Sequence, residues 1–84
     1  MEIYELEPKD GRKSFYGKAI EIWTNSGLRL LRSYNTIVAY YDRDRKLHRT
    51  WSGWSATTGR HIYAFCGKHK AEWDKLPVEP EPVI

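Results

Sequence analysis

Cysteine occurs once, at Cys66, so no disulfide can form within the chain and a disulfide-stapled scaffold is excluded. No apolar run approaches the roughly 18 residues needed to span a bilayer. The opening stretch MEIYELEPKDGRK is acidic at its start and lacks the apolar core of a signal peptide. These absences together predict a cytoplasmic protein. Proline is confined to Pro8 and the last eight residues, and no Pro/Gly/Ser-rich linker or internal repeat divides the 84 residues. One domain with one small core is expected over 1–84. It comprises an N-terminal acidic segment (1–12), a folded core (13–76) and a Pro/Glu-rich tail (77–84), the last extended and partly mobile.

What the chain does have is aromatic rings and unevenly distributed charge. Rings make up 14% of residues, including four Trp and six Tyr, and large rings give a small core much area per residue. The net charge is +3, yet residues 1–10 and 71–84 each hold four acids and one base. Twelve of the fourteen bases and only three of the eleven acids therefore fall between 11 and 70, a local balance of about +9. Such a middle suits a phosphate-bearing or acidic partner, unless the acidic ends fold back to neutralise it.

Periodicity and turn chemistry predict an α+β domain. KSFYGKAIEIWT (13–24) is β-branched and aromatic, Asn25-Ser26-Gly27 is hairpin-turn chemistry, and LRLLRSY (28–34) returns. TIVAYY (36–41) is a third strand, and a charged turn, Asp42 to Arg45, leads to a fourth, KLHRTW (46–51). There the alternation sets Leu47, Arg49 and Trp51 against Lys46, His48 and Thr50. In the first strand Phe15 and Ala19 face away from Ile20 and Ile22, so a bulge near Gly17 or Ala19 is expected to gather them into one core. From Ser55 the period changes: Ile62, Phe65, Cys66 and His69 are spaced as one face of a helix. Ser55, Thr57 or Thr58 supplies the N-cap oxygen, and Gly67 the C-cap. KAEWDKLP (70–77) reads as a short second helix pressing Trp73 and Leu76 onto the core, with one helix continuing through Gly67 as the alternative. The expected architecture is a four-stranded antiparallel meander with one C-terminal helix on one face and a short second helix.

No catalytic, metal or cofactor pattern stands out. His61 lies a turn from Thr57 and Thr58, but no nucleophile elbow is present. His48, His61, Cys66 and His69 lack the spacing of a zinc site, and no phosphate-cradling glycine motif occurs. Binding is therefore the expected activity. The third and fourth strands and their turn offer Tyr40, Tyr41, Arg43, Arg45, Lys46 and Arg49, with Arg60 on the helix. Basic residues interleaved with rings suit nucleic acid, while Trp, Tyr and Arg are also the favoured anchors of protein interfaces.

The residues Ser33, Tyr34, Asn35, Thr36, Val38 and Ala39, followed by Trp54, Thr57, Thr58, Arg60, His61, Ile62 and Phe65, resemble a family of small domains of unknown function from Gram-positive bacteria, their phages and other mobile elements. SFYGKA (14–19) fits the same pattern, and the likeness covers roughly 13–76. The resemblance implies a small accessory protein of the host cytoplasm, with no activity to carry over. The expected function is accordingly a non-catalytic binding protein that occupies a host protein or nucleoprotein complex, such as a defence complex, and inhibits or modulates it. The alternative is direct DNA or RNA binding by the basic aromatic sheet surface. A homodimer through a sheet edge is a further expected association. The family pattern also gives Asn35 a role in its turn and has Arg60 and His61 bonding to strand backbone near Asn35.

Overall fold

The computed structural model describes residues 1–8 and 14–83; Lys13, where the first strand was expected to begin, and most of the junction between acidic segment and core lie outside them. Five antiparallel strands form one sheet in chain order: β1 (Glu2–Glu5), β2 (Ala19–Trp23), β3 (Arg29–Ser33), β4 (Thr36–Tyr41) and β5 (Leu47–Arg49). Two helices follow, α1 (Ala56–Cys66) and α2 (Lys70–Trp73). The α+β class and the order of the last four strands are as expected, and β1 is an additional edge strand. It pairs with β2 from Glu2↔Trp23 to Glu5↔Ile20, with all four of its residues exposed. A strand that buries no face leaves no alternation to detect.

The turns follow local chemistry. Gly27 takes a φ of +92°, and Thr24 receives Gly27 N–H and donates its own N–H to Leu28, closing the β2–β3 hairpin. Asp42 Oδ1 accepts from the N–H groups of Asp44 and Lys46, fixing the β4–β5 turn with Arg45 at a φ of +63°. Gly17 does not bulge a strand. It sits at a φ of +73° in a turn before β2, where Lys18 N–H reaches Phe15 carbonyl. Phe15 and Ala19 therefore reach one small cluster with Ala64 from different local structures. The register shift falls instead between Leu31 and Arg32 against β4. β2 and β3 are buried on both faces for part of their length: Ala19, Ile20 and Glu21 are buried together, as are Leu30 and Leu31. Central strands with neighbours on each side reach this even in a small domain.

Ser55 is the N-cap of α1, its Oγ accepting from Thr58 N–H at 3.1 Å. Gly67 at a φ of +74° ends the helix, its N–H on Tyr63 carbonyl. α1 and α2 are thus separate, and His69 leaves the apolar face to cap α2 and stack on Tyr63. Ile62 and Phe65 join Leu31, Val38, Ala39 and Trp73 in the main core. Trp54 lies flat on α1 at Gly59, where a methyl group would come within 2.4 Å of its ring. The start of the tail is tied down: Val78 bridges in parallel to Arg49, and Glu79 N–H meets Arg49 carbonyl at 2.7 Å. Among the described residues no helix is long and apolar enough to cross a membrane.

Candidate functional site

Antiparallel pairing sets Trp23 opposite Arg29, Arg29 opposite Tyr41 and Tyr41 opposite Leu47, one row across four strands on the α1 side of the sheet. The Arg29 guanidinium lies 5.6 Å from the Trp23 ring, 5.3 Å from Tyr41 and 5.0 Å from Phe65. It is paired with the buried carboxylate of Glu21. Above this row the β4–β5 turn brings Arg43 and Arg45 over the β2–β3 turn. Arg43 Nε donates to Ser26 carbonyl at 2.6 Å, and its stem packs on Gly27, where a Cβ would meet Arg43 Cγ at 3.1 Å. The result is a groove of about 390 Å³ lined by Trp23, Arg29, Tyr41, Arg43 and Arg45, with Asp42 at its edge.

Three arginines therefore share a groove with two rings, and Trp23 is 47% exposed. Asp42 also lines the groove, with its Oδ2 hydrogen-bonded to His48 Nε2. The Asp42 carboxylate is held below its usual range, first by hydrogen bonding to His48 and then by the turn amides of Lys46 and Asp44. Burial pushes the Tyr41 phenol up, with Arg29 opposing, so its hydroxyl stays protonated and can donate. Such a surface can neutralise carboxylates or phosphates while offering a flat ring for stacking.

The expected binding residues divide among several surfaces. Tyr41, Arg43 and Arg45 meet in the groove, and Lys46 is exposed in the same turn. Tyr40, its neighbour's opposite on the pleat, stacks on His48 at 4.6 Å on the other face. His48 bridges Asp42 Oδ2 at 2.7 Å and Glu79 Oε2 at 2.8 Å, tying the tail to β5. Arg49 is 6% exposed and donates to four main-chain carbonyls: Nε to Trp51, Nη2 to Ser52, Nη1 to Trp73 and Leu76. Its guanidinium also covers the Trp73 ring at 5.0 Å. This arginine organises the 50–54 loop and α2 from inside, and is not available to a partner. Arg60 lies at the far end of the domain, 5.1 Å over the Phe15 ring.

Sequence reasoning missed Trp23 and Arg29. The signal was present: the two residues flank the Asn25-Ser26-Gly27 turn at equal distance, so a hairpin must pair them.

His61 joins helix to sheet through a side chain rather than through strand backbone near Asn35. Its Nδ1 is hydrogen-bonded to Ser33 Oγ at 2.7 Å, and that hydroxyl also contacts Thr58 Oγ1 at 3.1 Å. Ser33 and His61 are 3% and 1% exposed. Burial, reinforced by the charge of Arg60, holds the imidazole below its ordinary range, so it is neutral at pH 7. Among the described residues no group of three or more His, Cys, Asp or Glu side chains is arranged to hold a metal ion.

The model of a family of unknown function, DUF8033, matches residues 4–77, and the chain belongs to that family. The match runs from within β1 to four residues past α2 and so takes in the whole groove. No curated protein and no solved structure matches the chain.

Proposed function

We propose that this DUF8033 protein works by binding, not catalysis, and that its groove of Trp23, Arg29, Tyr41, Arg43 and Arg45 seats on an acidic surface of a partner protein. The observation that carries the reading is the cross-strand row Trp23–Arg29–Tyr41 lying under two further arginines. A half-exposed tryptophan beside arginines is the composition of an interface anchor, and the local positive field would steer an acidic partner to it. The resemblance to mobile-element proteins suggests a specific form: an inhibitor that covers a host nucleoprotein complex. The non-catalytic reading is supported by the burial of the Ser33–His61 pair, whose hydroxyl is already engaged by Thr58. That constellation is built as an internal tie.

A second reading, direct binding of single-stranded nucleic acid, is favoured by the same exposed Trp23 ring among cations, since bases stack on rings while arginines hold phosphates. Capture from host lysate, split with and without nuclease, separates the two. A protein partner persists after nuclease and binds with a modest salt dependence. Nucleic-acid binding vanishes with nuclease, and purified oligonucleotide affinity falls linearly in log–log form with salt.

A further inference from the structure

At the opposite end of the sheet from the groove, two tyrosines are held in backbone conformations that bulky residues avoid. Tyr16 has a φ of +52° in the turn before β2, and Tyr34 a φ of +55° in the two-residue β3–β4 turn. Hairpin loops of that length place glycine or asparagine where φ is positive, and the left-handed region strains a bulky side chain. Burial does not compensate: Tyr16 is 72% exposed and Tyr34 48%. The two turns are fastened together, Tyr34 N–H donating to Lys18 carbonyl at 2.7 Å. Both rings line one cleft of about 320 Å³, with Phe15, Lys18, Arg60 and His61. Its floor is aromatic: the Phe15 and His61 rings meet edge-on at 4.5 Å, and Tyr34 lies 5.7 Å from His61.

We propose that this cleft binds a nucleotide unit, the base stacking on Tyr16 and Tyr34 and the phosphate paired with Lys18 and Arg60. The charge decides against a cationic guest, since an aromatic cage for a cation would not carry a lysine and an arginine in its wall. Among the described residues the lining contains no carboxylate; Glu5, whose carboxylate lies close to Gly17, is not part of it. Neutral His61 contributes a ring and a polar edge but no charge. The volume stands at the lower limit of small-molecule sites, roughly 300 Å³, enough for one base, sugar and phosphate. Two strained, solvent-facing rings converging on one basic cleft are accounted for by a planar anionic guest, whereas neither core packing nor turn chemistry requires them. The proposal is independent of the groove between the other two turns.

The test is equilibrium binding of AMP to the full chain, followed by NMR or calorimetry, with adenosine and inorganic phosphate as partial probes. Saturable AMP binding is expected, tighter than for either fragment. The double variant Tyr16→Gly, Tyr34→Gly is expected to fold at least as stably, because glycine adopts these angles freely, and to weaken AMP at least about tenfold. Should that variant fail to fold, the exposed Lys18→Ala carries the same test: it weakens AMP but leaves adenosine unchanged. Competition by a 5′-phosphorylated oligonucleotide assigns the unit to a strand end; its absence assigns a free nucleotide. The proposal is overturned if AMP does not bind by roughly 10 mM, far above the useful range of affinities. It is equally overturned if phosphate alone binds as well as AMP, or if both variants bind AMP as the wild type does.

Discussion

Replacing Arg49 by alanine removes four hydrogen bonds to main-chain carbonyls and the cation over Trp73 in one step. The Trp73 carbonyl bond is fully buried, and an acceptor left there without a partner costs about 1–3 kcal/mol. The carbonyls of Trp51, Ser52 and Leu76 are only partly buried and recover some hydration, so each contributes less. The desolvated cation–π contact adds on the order of 1–2 kcal/mol. The expected loss is about 3–5 kcal/mol, the scale seen when a buried charged group is removed from its partners. A domain of this size has a total stability of roughly 4–12 kcal/mol, so Arg49→Ala should lower Tm by more than about 10 °C and lie near the edge of folding. Arg49→Lys should rescue little, because a single ammonium cannot reach carbonyls placed around a planar fork. Urea unfolding of the wild type and both variants measures this directly. A loss below about 1 kcal/mol in Arg49→Ala, together with loss of partner binding, would refute the structural role and return Arg49 to the binding surface.

Two further outcomes follow from the packing and the charges. Hydrogen bonding to Asp42, then to Glu79, holds the His48 pKa above the ordinary imidazole value, with burial opposing. Its contribution is therefore complete below about pH 6.5 and is lost as pH rises through the raised value. Asp42 is held low, so its share is lost only as pH falls through that depressed value. The wild type minus His48→Gln stability difference should thus be largest near pH 5.5 and shrink by on the order of 1 kcal/mol by pH 8.5, measured by urea unfolding at each pH; a difference that grows with pH contradicts the clamp. Gly59→Ala gains about 1 kcal/mol of helix propensity but drives a methyl into the Trp54 ring. Overpacking of about 1–3 kcal/mol should win, giving a net loss in Tm and increased Trp54 exposure by fluorescence quenching; a more stable variant would show that Trp54 moves aside freely.

Much of the fold was legible because its signals are local. The Asn25-Ser26-Gly27 turn, the 3.6-residue spacing of Ile62 and Phe65, and the Ser55 and Gly67 caps each act within a few residues. β1 was not legible, since a strand exposed at every position is indistinguishable from a polar segment. The misplacement of Gly17 has the same origin: Phe15 and Ala19 share a core cluster although a turn separates them, and strand alternation cannot represent that. For the site, consecutive Tyr40 and Tyr41 must face opposite ways on a pleated strand, and the alternation that groups Arg49 with Leu47 and Trp51 already pointed it inward. Charge was read as exposure at that position, and the arginine's long fork finds carbonyls that no sequence pattern announces. The Ser33–His61 tie spans 28 positions and needs the packed helix to exist.

The central claim is that the groove of Trp23, Arg43 and Arg45 is where a partner seats. The most direct test compares nuclease-treated capture from host lysate by the wild type, by Trp23→Ala/Arg43→Ala/Arg45→Ala, and by Lys70→Ala, an exposed change on α2 outside the groove lining. The account predicts one protein held by the wild type and by Lys70→Ala but lost from the folded triple variant. Retention of the same protein by the triple variant would contradict it.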